Sequence, residues 1–138
     1  MKETYIKTTG IFIINSKTNS LLLQHRDNKK NINFPNMWGT PGGTVNKNET
    51  FIACAYRELK EETNYDAKNL IFFKTYVYKF GNKHFKTKLY WEFYDNKTKL
   101  ICNEGKKIKF IEKKNFYNFK IVHIVLKAWI ELEKKYYL

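Results

Sequence analysis

Apolar positions fall into short blocks along the chain, and the spacing within each block predicts a particular element. "TYIKTTGIFIIN" (4–15) reads as a strand, and "SLLLQHR" (20–26) as a second strand after the polar turn "SKTN". The polar loop "DNKKNINFPN" leads into "MWGTPGGTV", where Pro41-Gly42-Gly43 predicts a tight turn or loop. A helix is predicted near residues 50–63, with Ile52, Ala55, Tyr56 and Leu59 on its core face. Thr50 suits its N-cap, and Asn64 suits its stop, because Asn tolerates the left-handed conformation. "LIFFKTYVYKF" and "HFKTKLYWEFYD" read as paired strands joined at Gly81-Asn82. A further strand, "KIKFIE", precedes a C-terminal helix around "IVHIVLKAWIELEKK". Its apolar positions Ile121, Val125, Ala128, Trp129 and Leu132 follow helical spacing. Strands and helices intermix without a linker, repeat or low-complexity block, so the expectation is one α/β domain over residues 1–138.

Composition narrows the class. The 138 residues suffice for a substantial core, and 43% hydrophobic with 17% aromatic content excludes a disordered chain. The sequence holds no apolar run long enough to span a membrane, and "MKETYIKTTG" lacks the pattern of a signal peptide. A soluble cytoplasmic protein is the expectation, with no membrane partner. Cys54 and Cys102 match no zinc or redox spacing and read as reduced, mostly buried thiols. His25, His84 and His123 form no pair at metal-ligand spacing and read as structural or surface residues. The net charge of +13 has two readings, compositional bias toward lysine or a preference for polyanions, since Arg26 and Arg57 are the only arginines.

The segment "YRELKEETNY" (56–65) carries the chemistry. Glu58, Glu61 and Glu62 project within an arc of roughly 100° on a helix. Glu58 and Glu62 repel at i,i+4, and all three lie toward a helix C-terminus, where the macrodipole disfavours negative charge. A solvated acidic face would interleave lysines, but only Lys60 intervenes. Clustered carboxylates near a Gly-Gly loop are instead what Mg²⁺ or Mn²⁺ requires, with a backbone carbonyl, water and substrate phosphate completing the shell.

From Gly43 the chain reads Gly, five residues, Glu49, seven residues, then Arg57-Glu58-Leu59-Lys60-Glu61-Glu62-Thr63-Asn64-Tyr65. This resembles the Nudix box, G-x5-E-x7-R-E-U-x-E-E-x-G-U with U apolar. Chance agreement at six Gly, Glu or Arg positions is on the order of 10⁻⁸ per start position. The one departure is Asn64 in place of the usual Gly. The order of strands before and after the box also follows the family. The resemblance implies a Nudix-type α/β/α sandwich with a mixed sheet.

The resemblance also implies roles. Glu58, Glu61 and Glu62 would bind metal, together with the carbonyl of Gly42. Arg57 and Glu49 would form the box's structural pair, with Gly43 at its start and Arg57 also orienting Glu61. Glu104, in "CNEGKK", would be a later acid serving as ligand or base, leaving Glu58 and Glu104 as alternative general bases. Arg26 would touch substrate phosphate, and Asn118 would read the base. Tyr90, Trp91 and Phe93 could stack a base, although strand aromatics more often fill a core.

The implied activity is Mg²⁺-dependent cleavage of a diphosphate linkage in a small nucleotide, foremost a (deoxy)nucleoside triphosphate to monophosphate and pyrophosphate. Two alternatives stand beside it: removal of pyrophosphate or a cap from an RNA 5′ end, and a silent Nudix-fold module that binds nucleotide or nucleic acid. Monomer and homodimer are both compatible with the sequence.

Overall fold

Two apolar runs lack polar alternation, IFII (11–14) and LLL (21–23), and every one of their side chains is at most 2% exposed. Strands of this kind need cover on both faces. The computed structural model, which describes residues 4–136, supplies it. Its elements are β1 (Ile6–Asn15), β2 (Ser20–His25), β3 (Trp38–Gly39), β4 (Gly42–Thr44), α1 (Phe51–Thr63), β5 (Ile71–Phe80), β6 (Lys83–Phe93) and β7 (Lys107–Glu112). A 3-10 turn (Lys113–Asn118) then leads to α2 (His123–Tyr136).

Strand alternation divides the core into two layers. Ile11, Ile13, Leu22 and Tyr90 pack with Ala55 and Leu59 of α1. Phe12, Ile14, Leu21, Leu23, Leu89 and Trp91 pack with Val125, Ala128, Trp129 and Leu132 of α2. The sheet is mixed, since β1 and β6 run parallel while β5–β6, β1–β2 and β2–β7 are antiparallel. The α/β/α sandwich implied by the resemblance is therefore the observed fold. No helix among the described residues is long and apolar enough to cross a membrane.

One feature of the sheet positions the site. β1 and β2 pair only beside their turn, at Ile14–Leu21 and Asn15–Ser20, and then splay apart. The chain from Trp38 to Thr44 fills the gap: β3 pairs with the end of β2, and β4 pairs with the start of β1. Ile11 donates its N–H to Pro41 O (2.9 Å), which ties the middle of this wedge to β1. Gly42 and Gly43 thus lie in a paired strand, and only Pro41 keeps the expected turn or loop. A Cβ at Gly42, with φ +153°, would sit 2.0 Å from Thr9 O, so the pairing needs glycine there.

Four other expectations are corrected. Ile52 is 37% exposed, because the buried stripe of α1 is rotated toward the acids and takes in Cys54, Ala55, Leu59, Glu62 and Thr63. Ile121 is buried but precedes α2, forming a parallel bridge with Trp38. Cys102 is exposed, held in a loop where its thiol donates to Glu104 O (3.3 Å). Phe93 is 44% exposed at the end of β6, while Tyr90 and Trp91 are buried as strand aromatics usually are.

Candidate active site

The helix carrying the acids is fixed at both ends. Thr50, in extended conformation, accepts from the Ala53 N–H (3.1 Å) as N-cap. Asn64 adopts φ +66° and its N–H bonds Lys60 O, the left-handed stop expected of it. The terminal carbonyls of α1, which have no partner inside the helix, are met by the loop before β7. Ile101 N–H donates to Thr63 O, Asn103 N–H to Glu62 O, and Asn103 Nδ2 to Glu61 O, all at 3.0 Å. The same loop carries Glu104, whose carbonyl accepts from Gln24 Nε2 (3.0 Å). Gly105 follows at φ +79°, where a Cβ would lie 2.7 Å from His25 O.

These connections bring Glu58, Glu62 and Glu104 together, with one carboxylate oxygen of each within 4.8 Å of the others. Glu62 is 3% exposed and accepts from the Gly42 N–H (3.0 Å). Its burial, then its hydrogen bond with Glu104 and the charges of Glu104 and Glu58, push its carboxyl up to about 10, against the pull of the Gly42 amide. Three hard carboxylate oxygens this close, one of them kept protonated by burial and by its acidic neighbours, fit a divalent cation well. Gly43 lies against Glu58: a Cβ there would be 2.5 Å from the Glu58 carboxyl carbon.

Arg57 organises the other side of the helix. Its Nε and Nη2 donate to the two oxygens of Glu49 (2.7 and 2.9 Å), a bidentate fork. Its Nη1 donates to Glu58 (2.8 Å) and Glu61 (3.2 Å). The Arg57 bond, with that of the Asn46 N–H, holds the Glu49 carboxyl down at about 2. Glu61, paired with Arg57 and 60% exposed at its side chain, stands outside the three-carboxylate cluster.

Beside the cluster runs a groove lined by Thr8, Arg26, Phe34, Gly42, Gly43 and Tyr78. Arg26, anchored by Nε donation to Asn33 O (2.8 Å), also lines the adjoining recess with Gln24 and Glu104. It therefore lies between the acids and the groove. Asn118 does not join them. It lies exposed at the end of the 3-10 turn and lines neither the groove nor the adjoining apolar pocket.

The groove's aromatic wall is Phe34 and Tyr78, neither of which the sequence singled out. Phe34 has φ +50°, a costly conformation for a bulky residue, and packs on Phe80 with ring centroids 4.7 Å apart. One signal was present: Phe34 is the one aromatic in the loop "DNKKNINFPN". Such strain marks a residue held in place by its surroundings.

Comparison with known proteins agrees with this geometry. A segment of 62 residues is 37% identical to the RNA pyrophosphohydrolase of Pelagibacter ubique (strain HTCC1062), taking in 45% of this chain and 36% of that protein. Another of 59 residues is 37% identical to Nudix hydrolase 5 of Arabidopsis thaliana, taking in 43% of this chain and 19% of that protein. The chain thus matches well under half the length of either relative. Among solved structures, the MutT protein of Methanosarcina mazei Go1 superposes with a TM-score of 0.80 at 18% identity, over 98% of this chain and 96% of that one. The NUDIX domain of Shewanella oneidensis NrtR, solved with ADP ribose, gives a TM-score of 0.81 at 15% identity, over 97% and 90%. At such identities the likeness is one of fold. The NUDIX domain family model matches residues 4–127, nine-tenths of the sequence, and on that match the chain belongs to the Nudix family.

Proposed function

We propose that the protein hydrolyses a phosphoric anhydride bond in a nucleotide, foremost releasing pyrophosphate from a (deoxy)nucleoside triphosphate. The observation that carries this reading is the Glu58–Glu62–Glu104 cluster opening beside the Arg26 groove. Glu58, Glu62 and Glu104 would hold Mg²⁺ or Mn²⁺, with Glu61 near enough on α1 to serve through water and the Gly42 carbonyl a further candidate. When bound, the cation supplies charge neutralisation at the phosphoryl oxygens and acidifies a coordinated water.

The remaining work belongs to the chain's own groups. Arg26, which lines both the groove and the recess holding Glu104, binds the phosphates, and Phe34 and Tyr78 offer an apolar wall to the nucleoside. Arg57 holds Glu58 in place through the 2.8 Å bond. That engagement leaves Glu104 to act as general base, since the Glu58 carboxylate is already occupied by the guanidinium. Glu104 would take the proton as water oxygen bonds to phosphorus in line and the bridging P–O bond breaks.

A second reading, attack on the 5′-terminal phosphates of RNA, is favoured by the likeness to the Pelagibacter ubique enzyme. Product analysis with Mg²⁺ against nucleoside triphosphates, dinucleoside polyphosphates, nucleotide sugars and 5′-triphosphate RNA separates the two. Monophosphate plus pyrophosphate from one triphosphate far ahead of the rest is the expected result. Turnover of RNA alone would establish the second reading. Binding of nucleotide without turnover of any substrate would overturn both in favour of a silent module.

A further inference from the structure

The α1-facing side of the sheet is covered by the helix only in part. Ile11, Ile13 and Tyr90 lie under α1, so by strand alternation Lys7 and Thr9 of β1, and His84, Lys86 and Lys88 of β6, share that face. Beyond the helix the face lies open and is built of registered rows. Lys7 stands opposite Lys86, and Lys86 opposite Val77. Thr9, buried beneath Cys54 of α1, stands opposite Lys88 at the edge of the helix, and Lys88 stands opposite Thr75. Lys79 stands opposite His84. Like charges directly opposite on neighbouring strands are unfavourable for the sheet, yet Lys7 and Lys86 are so placed.

Aromatic rings interleave with these ammonium groups. Lys88 Nζ lies 4.6 Å from the Phe51 ring centroid and 5.8 Å from that of Phe72, and Lys7 Nζ lies 5.9 Å from Phe51. Phe72 is 48% exposed and Val77 56% exposed. Among the described residues, Lys7, Lys79, Lys86 and Lys88 take part in no ion pair. Acids at the borders are engaged elsewhere: Glu49 is clamped by Arg57, and Glu92 accepts from the Lys68 and Asn69 N–H groups.

We propose that this open face of β1, β6 and β5 binds single-stranded nucleic acid, with phosphates on Lys7, Lys86 and Lys88 and bases against Phe72 and Val77. A row of unneutralised lysines among exposed rings is how sequence-tolerant single-strand sites are built. A lipid surface fits less well, because the ammonium groups overlie the rings and acyl chains would have to bury them. β1, the near edge of the face, pairs with β4 at Thr9–Gly43, so the face starts about 5 Å, one strand spacing, from the glycine on which the Glu58 carboxylate rests. The claim stands independently of the hydrolase reading, since it concerns binding of a strand that offers no diphosphate.

The test is fluorescence anisotropy of the full chain with a labelled 5′-hydroxyl oligo(U) in EDTA, over a range of salt. K86E/K88E should weaken binding at least tenfold and flatten the log–log salt dependence by about 1.4, at about 0.7 per lost phosphate contact. Phe72→Ala should weaken it fivefold or more. K86Q/K88Q should give a smaller loss in the same direction, and it replaces the Glu variant if that one melts early. K134E/K135E, on α2 across the sheet, should retain affinity to within about twofold beyond the shared loss of net charge. Equal losses from the α2 pair and the sheet pair would overturn the proposal by showing a diffuse charge effect. So would a duplex of the same length binding more tightly than the single strand, or sedimentation with phosphatidylserine vesicles without oligo(U) binding.

Discussion

The two helices that cover the sheet are nearly equal in length, 13 and 14 residues, but bury different chemistry. α2 presents Val125, Ala128, Trp129 and Leu132, an apolar stripe. α1 presents Ala55 and Leu59 together with Glu62 and Thr63. Burying a carboxylate costs several kcal/mol unless a partner compensates it, so a helix selected for stability alone would look like α2. The difference teaches that α2 belongs to the fold's support, while α1 gives up stability to hold charge where the groove opens.

The largest effect that sharpens this contrast is expected on α2. Trp129→Ala removes a side chain that is 1% exposed and should cost about 3–5 kcal/mol, seen as a lower melting temperature. Turnover per folded molecule should stay within a few-fold of the original. Glu62→Gln on α1 should do the reverse. Turnover should fall at least about a hundredfold, a barrier rise of about 2.7 kcal/mol, with metal-free stability unchanged or higher. Retained Mg²⁺-dependent activity in Glu62→Gln would remove that residue from the site.

A smaller effect should appear in the pH dependence of the metal-free protein. The Glu62 carboxyl moves from 4.5 to about 10 on folding. The folded state therefore binds more protons, and this contribution to stability is full below pH 4.5 and lost progressively as pH rises toward 10. Melting temperature in EDTA should fall between pH 6 and 9, and Glu62→Gln or saturating Mg²⁺ should flatten the slope. Glu49 runs oppositely, losing its contribution as pH falls from 4.5 toward 2, and so does not mask the window. A slope that survives in Glu62→Gln would place its origin elsewhere. The smallest effect is expected at Ile52, where Lys should change stability by no more than about 0.5 kcal/mol, whereas Val125→Lys should unfold the protein.

The same contrast explains what could be read in advance. α2's position, less the first two residues of the predicted segment, follows from periodicity because nothing competes with burial there. The face of α1 does not, because a hydrophobicity pattern counts Ile52 as core and Glu62 as surface. The box spacing located Glu58, Glu61 and Glu62, since a helix turns local spacing into local geometry. Glu104 follows from the family resemblance and not from spacing; which two acids of α1 meet it depends on hydrogen bonds between segments some forty residues apart, such as Asn103 to Glu61. Phe34 and Tyr78 meet across the groove for a similar reason: one lies in a loop and the other in a strand far along the chain. The wedge at Pro41-Gly42-Gly43 reads locally as a turn, and only the splaying of β1 from β2 turns its two glycines into paired backbone.

The loop that closes the end of α1 also has a kinetic consequence. The bonds that satisfy the helix carbonyls are donated by the Ile101 and Asn103 amides, one or three residues from the Glu104 carboxylate. A ligand gripping Glu104 must therefore slow the local opening that exposes those two amides to exchange. Deuterium uptake at Ile101 and Asn103 becomes a spectator of cation occupancy, readable without substrate and separable from the slower exchange of β1 and β6.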